Sequence, residues 1–265
     1  ITAGTCANNY IITRTWTATD VCGNSSTSSQ TITVDDNIAP VITGTPADIS
    51  YDCAGDVPAG NIASVTATDN CAGIVTVTVN DVITAGTCAN NYIITRTWTA
   101  EDVCGNIATS SQIITVDDNI APVINGTPAA ISYDCAGDVP VASIASVTAT
   151  DNCAGIVTLT VNDVTTPGTC ANNYTITRTW TATDVCGNSS TSSQTITVDD
   201  NTPPVISGTP AAATFTCSGD VPVASIASVT ATDNCAGIVT VTVNDVTTPG
   251  TCANNYIITR TWTAT

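Results

Sequence analysis

Residues 92–100 read YIITRTWTA, and this stretch decides the fold. Every second residue from Tyr92 to Ala100 is apolar or aromatic, with Arg96 the exception, and most of the residues between them are threonine. Such a period of two is typical of a half-buried β-strand. The same alternation occurs at residues 49–53, 65–67 and 75–79. With no helical spacing anywhere, the sequence predicts an all-β chain of antiparallel sandwich domains of the immunoglobulin kind.

The chain is built from a repeat of 82 residues. The segment ITAGTCANNYIITRTWTA begins at Ile1 and returns unchanged at Ile83, with relatives beginning at Thr165 and Thr247. A period of this length suits one small domain. We therefore predict whole domains over 38–119 and 120–201, a partial repeat of C-terminal strands over 1–37, and a partial repeat lacking its last strand over 202–265. We expect a linear rod of tandem domains and a segment of a longer array.

The composition excludes several classes of function. The chain has 265 residues, a formal net charge of −18, four basic residues and no histidine. Without histidine it lacks the usual general base and any Ser-His-Asp or Cys-His nucleophile. The strong acidity argues against nucleic acid as a partner. No apolar run approaches the ~20 residues that a membrane-spanning helix needs.

Four motifs of the repeat resemble the hyalin-repeat (HYR) family. They are PVITGTPADISYDC at 40–53, SVTATDNC at 64–71, VTVTV at 75–79 and RTWTAEDVCGN at 96–106. The segment CANNYIITRTWTATD at 6–20 is similar to the HYR-like repeats of giant surface and secreted adhesin-type proteins of Bacteroidota. The resemblance implies an immunoglobulin-like extracellular module that serves in adhesion or as a stalk. Arg96 departs from the family pattern, which has an apolar strand residue there.

The thirteen cysteines follow the repeat, with four in each complete unit. A zinc site would show close C-x₂₋₄-C pairs, which are absent, so disulfides are the better interpretation. Cys88 and Cys104 flank a strand of ~30 Å and cannot bond. If successive strands alternate in direction, each cysteine can be assigned to one end of its domain, and two cysteines lie at each end. The predicted bonds are Cys53–Cys104, Cys71–Cys88, Cys135–Cys186, Cys153–Cys170 and Cys235–Cys252, and the expected partners of Cys6, Cys22 and Cys217 lie outside the chain.

Acidic linkers join the predicted domains, as in Val116-Asp117-Asp118-Asn119. We expect other carboxylates to lie close to these linkers. Asp69 should lie beside the linker that follows its domain, and Asp184 should lie beside the linker that precedes its domain. Oxygen ligands without histidine or thiolate favour Ca²⁺. The alternative is that these are ordinary turn residues. The predicted ligands are Asp35, Asp36, Asn37, Asp69, Asn70, Asp102, Asn106, Asp117, Asp118, Asn119, Asp151, Asp184, Asn188, Asp199 and Asp200.

Other features admit two interpretations. Trp98 beside Arg96 could stack on a sugar, but it is more simply a core residue, with the arginine either capping that core or paired to a nearby aspartate. The threonine-rich outer face could carry O-glycans or could be a plain soluble surface. Paired aspartates occur in glycoside hydrolases, yet here they recur at every linker and do not flank one cleft. We predict no catalytic residues and no enzymatic activity.

Together these features predict a structural, extracellular protein. Disulfide-stapled domains, stiffened by Ca²⁺, would form the stalk of a cell-surface adhesin or a secreted filament. The expected partners are neighbouring repeats or identical chains end to end, with glycans or cell-surface ligands bound elsewhere. The alternatives are a carbohydrate-binding module and an accessory region of a larger secreted enzyme.

Overall fold

The computed structural model describes all residues from Ile1 to Thr265, and the fold is all-β as predicted. Its helices are 3-10 turns of three residues each: Ala54–Asp56, Ile62–Ser64, Ala136–Asp138 and Ser218–Asp220. None of them is long enough to cross a membrane. The strands in chain order are β1 (Thr2–Ala3), β2 (Asn9–Thr19), β3 (Ser25–Asp35), β4 (Val41–Thr43), β5 (Ile49–Tyr51), β6 (Thr66–Thr68), β7 (Thr76–Ala85), β8 (Asn91–Glu101), β9 (Ile107–Asp117), β10 (Val123–Asn125), β11 (Ile131–Tyr133), β12 (Thr148–Thr150), β13 (Thr158–Pro167), β14 (Asn173–Thr183), β15 (Ser189–Asp199), β16 (Val205–Ser207), β17 (Thr230–Thr232), β18 (Val241–Pro249) and β19 (Tyr256–Ala264).

Each complete repeat contains a four-stranded sheet and a two-stranded sheet. The four-stranded sheets have the orders β5-β9-β8-β7 and β11-β15-β14-β13, and the two-stranded sheets pair β4 with β6 and β10 with β12. Most pairs are antiparallel, as predicted. β5 and β9 are parallel, however, with Ile49 opposite Ile114, and β11 and β15 are parallel in the same register.

The core follows the alternation of the longest strand. Along β8, Ile94, Arg96, Trp98 and Ala100 are buried, while the threonines between them are half-buried on the other face. The alternation places one side of the pleat against the rest of the repeat. Trp98 is 1% exposed, and its indole N–H donates to the carbonyl oxygen of Asn61 at 3.1 Å. Because a buried indole N–H needs an acceptor, this bond fixes the ring in the core.

The direction of the early strands decides where the cysteines lie. The chain passes from β4 to β5, and so from one sheet to the other, without reversing direction. Gly44 lies in this crossing with a φ of +83°, a backbone conformation that residues with a Cβ avoid. Because β5 runs parallel to β9, it ends on the side where the following linker begins. β6 is antiparallel to β4 and ends on the opposite side, beside the preceding linker.

The chain forms two compact units, each discontinuous in sequence. The first comprises Ile1–Val123, Thr150–Thr158 and Thr183–Ser190, and the second comprises Ile124–Ala149, Leu159–Ala182 and Thr191–Thr265. The first unit is centred on Trp98, Ala100 and Ile114, and the second on Trp180, Ala182 and Ile196, which are the equivalent residues one period later. The domain boundaries after residues 37, 119 and 201 stay a prediction.

Candidate functional site

Four disulfides connect consecutive repeats. One kind joins the turn before a long strand to the turn after the equivalent strand of the next repeat, and its Cα atoms are 5.0 Å apart. The other kind joins the 3-10 turn after β5 or β11 to the loop after the short strand of the next repeat, with Cα atoms 5.1 Å apart. The bonds of the first kind are Cys6–Cys104 and Cys88–Cys186, and those of the second are Cys53–Cys153 and Cys135–Cys235.

All five predicted disulfides are therefore wrong. The predicted bonds were Cys53–Cys104, Cys71–Cys88, Cys135–Cys186, Cys153–Cys170 and Cys235–Cys252. The cause is the parallel pairing of β5 with β9, which places Cys53 at the outgoing end of its repeat and not at the incoming end. Two cysteines of each complete repeat thus face the repeat ahead and two face the repeat behind. Cys6, whose partner was expected outside the chain, bonds Cys104, and the free cysteines are Cys22, Cys71, Cys170, Cys217 and Cys252.

Hydrogen bonds fix the acidic linker to both of its neighbours. The backbone N–H of Asp118 donates to the carbonyl of Asn90, in the β7–β8 turn of the preceding repeat, at 3.0 Å. The side-chain amide of Asn188, in the β14–β15 turn of the following repeat, donates to the carbonyl of Asp118 at 2.9 Å. Cys88 and Cys186 belong to these same two turns. The predicted meeting of linker 116–119 with the Asp184–Asn188 loop is thus what the contacts show.

Two aspartates meet at this linker with an unpaired oxygen each. The groups of Asp118, Asp151 and Cys153 lie within 4.8 Å of one another. Asp118 Oδ1 accepts from the N–H of Ile120, and Asp151 Oδ1 accepts from the N–H of Cys153. The Oδ2 atom of each is buried without a hydrogen-bond partner, and Asp118 is only 5% exposed. Burial raises the pKa of Asp118, and the nearby carboxylates, Asp151 foremost, raise it further.

The same arrangement recurs at the other linkers. Asp36 and Asp69 lie beside Cys71, again with both Oδ2 atoms buried and unpaired. Asp200 and Asp233 lie beside Cys235. Asp69 was predicted to join the linker that follows its domain. It joins the preceding one, because β6 ends on that side. Cys153 and Cys235 are disulfide-bonded, and burial, followed by the effect of Asp36, raises the pKa of the Cys71 thiol. The carboxylate oxygens are therefore the atoms at these linkers that could hold a metal ion.

Other predicted ligands are occupied by hydrogen bonds. Asp184 Oδ1 accepts from the N–H groups of Cys186 and Asn188, and Oδ2 accepts from the Asn188 side chain. Burial alone would raise the pKa of Asp184, but these bonds outweigh it and lower the pKa. Asp102 and Asn106 form the same loop one repeat earlier. Asp35, Asp117 and Asp199 accept from asparagine side chains, Asn70 donates to the Cys71 sulfur, and Asn37 and Asn119 are exposed.

Arg96 is part of the core. Its guanidinium makes two hydrogen bonds of 2.8 Å with the carboxylate of Asp81 and donates to the carbonyl of Pro58 at 2.7 Å. The bonds from Arg96 lower the pKa of Asp81. The sequence predicted this partner only as a nearby aspartate. An aspartate precedes the arginine by fifteen residues in each complete repeat, and Asp81 is the one that precedes Arg96. Trp98, being buried, offers no ring face to a sugar.

Comparisons with known proteins identify one repeat directly. Residues 123–198 match a family described as an HYR-like domain with 4 cysteines. No curated protein sequence matches the chain. Among solved structures, the chain is similar to protocadherin gamma B2 extracellular cadherin domains 3–6, with 17% identity, 76% of this chain covered and a TM-score of 0.29. The protocadherin gamma B4 extracellular domain matches with 20% identity, 90% of this chain covered and a TM-score of 0.32. The chain spans 60% and 45% of the lengths of these two structures.

Proposed function

Because residues 123–198 form an HYR-like domain with four cysteines, we propose that this chain is a structural, extracellular repeat protein. Its repeats form a stiff stalk or filament that holds an adhesive surface away from a bacterial cell. The paired aspartates recur at linkers and do not flank a cleft, so we propose no enzymatic role.

The observation that carries this proposal is the disulfide bonding between repeats. Repeats 38–119 and 120–201 are joined by Cys53–Cys153 and by Cys88–Cys186, in addition to the linker. Neighbouring domains generally move relative to one another unless their interface restrains them. Three separate covalent connections oppose bending and twisting at such a joint. Disulfides form and persist in oxidising environments outside the cytosol, so the same bonds support an extracellular location.

Within this proposal, Ca²⁺ binds between the paired aspartates. Asp118 and Asp151 each place a bare, buried oxygen in the same small space, and no arginine or lysine neutralises them. A hard divalent cation is the ligand that such oxygens select. Two carboxylates supply few of the six to eight oxygens that Ca²⁺ takes, so water completes the shell. We therefore place the affinity in the range of extracellular modules, with Kd ~10⁻⁴–10⁻³ M.

Electron microscopy of the full chain tests the structural role. We expect elongated particles of uniform length in an oxidising buffer with millimolar Ca²⁺. Reduction and alkylation should make those particles bent and variable in length. Compact particles in the oxidised sample would overturn the proposal. A melting curve with Ca²⁺, then with a chelator, tests the cation separately, and an unchanged melting temperature would leave the aspartates as turn residues.

A further inference from the structure

The disulfides close four loops that overlap along the chain. The loops run from Cys6 to Cys104, from Cys53 to Cys153, from Cys88 to Cys186 and from Cys135 to Cys235. Each loop contains 98 or 100 positions, whereas the repeat has 82, so each begins before the previous one has ended. Every residue between Cys6 and Cys235 lies inside at least one loop.

We infer that the overlapping disulfides carry tension past the folded sheets and limit how far the chain can be stretched. The inference deepens the proposed structural role. The shortest covalent route from Cys6 to Cys235 crosses to Cys104, follows the backbone to Cys135 and crosses again. Only the 31 positions between Cys104 and Cys135 are drawn out along this route. The other strands between Cys6 and Cys235 lie off the route, so their unfolding releases no length.

The size of the effect follows from the reach of an extended chain. At ~3.3–3.6 Å per residue, 31 residues span ~100–110 Å. The same stretch without disulfides has 229 positions, which reach ~760–820 Å. Reduction should therefore release the difference of 198 residues. An ordinary tandem of domains lengthens greatly as each domain unfolds, whereas this chain stays short even when every sheet has opened.

The four disulfides do not contribute equally. If Cys135–Cys235 is removed, the shortest route returns from Cys104 to Cys88, crosses to Cys186 and continues to Cys235, a backbone length of 65 positions. Removing Cys6–Cys104 also gives a shortest route with a backbone length of 65 positions. Removing Cys53–Cys153 leaves the route at 31, because that bond is not on it. Two variants that each lose one disulfide between repeats thus differ sharply in expected length.

Single-molecule stretching of the full chain, held at its two ends with the free thiols alkylated, tests the inference. The final contour length of the reduced chain should exceed that of the oxidised chain by ~650–710 Å. The variant Cys135→Ser with Cys235→Ser should exceed the oxidised wild type by ~110–120 Å. The matched control, Cys53→Ser with Cys153→Ser, should show no gain. These lengths depend on connectivity, so they hold even where a variant is less stable.

Equal gains in the two variants, or equal lengths for the oxidised and reduced chains, would overturn the inference. The outcome is separable from that of the structural proposal. Compact particles in the microscope together with the expected contour lengths would refute the stalk and leave the tension route standing. Elongated particles, together with a larger gain in contour length for the control variant than for Cys135→Ser with Cys235→Ser, would support the stalk and refute the tension route.

Discussion

Asn90 donates a hydrogen bond from its side-chain amide to the carbonyl of Ala154, 64 positions later in the next repeat, at 3.3 Å. The amide oxygen of Asn90 accepts from the N–H of Ala54 in its own repeat. Asn90 is only 4% exposed, so this one side chain joins two repeats from inside the protein. The contact recurs between Asn8 and Ala72 and between Asn172 and Ala236.

Asn90→Ala should lower the free energy of unfolding by about 1–3 kcal/mol, because it removes two hydrogen bonds and leaves their partners unsatisfied. Thermal melting of the oxidised full chain measures the loss. Asn8→Ala is the matched control, since the Asn8 side chain donates to the carbonyl of Ala72 and is less buried than Asn90. A control variant that melts as low as Asn90→Ala would contradict the central role of Asn90.

Asp118→Asn should raise the melting temperature at pH 7 when Ca²⁺ is absent. The folded protein raises the pKa of Asp118 above its ordinary value of 3.8. A raised carboxyl pKa favours folding at low pH and costs stability as pH rises through the folded pKa. The benefit of the substitution should therefore vanish below pH 3.8. Melting curves from pH 3 to pH 7 in a chelator check this sign.

Ca²⁺ should reverse the order of the melting temperatures of the wild type and Asp118→Asn. The wild type should gain melting temperature with added Ca²⁺, because the cation neutralises the repulsion between Asp118 and Asp151. Asp118→Asn should gain less, since it has lost one of the two charges at that linker. Mg²⁺ at the same concentration is the control, because it gives up its water reluctantly. An identical response of both proteins to Ca²⁺ would count against this site.

Asp81→Ala should lower the free energy of unfolding by about 2–4 kcal/mol, because it leaves the buried guanidinium of Arg96 without its charged partner. The Arg96 side chain is 6% exposed. Arg260, which has the same partner at Asp245, is 20% exposed, so Asp245→Ala should cost less. Because Arg96 lowers the pKa of Asp81, the contribution of the pair should be full above pH 3.8 and decline below it. Chemical denaturation at pH 3 and pH 7 measures both effects.

Trp98→Ala should lower the free energy of unfolding by about 3–5 kcal/mol, the usual cost of removing a buried tryptophan. The chain supplies its own control in Trp16, which has the same neighbours in sequence but is 55% exposed. Trp16→Ala should change the free energy of unfolding by about 1 kcal/mol or less. Similar losses for the two variants would mean that Trp98 is not the centre of its core.

The strands and the inward residues could be predicted from the sequence, because period-two alternation is a local pattern. β8 spans Asn91–Glu101, around the predicted 92–100. The disulfides could not, because they depend on whether the chain reverses between Thr43 and Ile49. No local pattern distinguishes a reversal from a change of sheet. The Asp69 placement failed for the same reason, while the Asp184 loop was placed correctly because it follows the longest strand.

The distance between bonded cysteines also sets an order of events during synthesis. Cys88 cannot bond until Cys186 has been made, 98 residues later, and Cys53 waits 100 residues for Cys153. At about 5–20 residues per second, this delay lasts about 5–20 seconds. Each repeat is therefore synthesised with two thiols unbonded, and these form their disulfides only after the next repeat has been made. In a growing chain of such repeats, the cysteines that still await a bond to a later repeat therefore lie in the newest repeat.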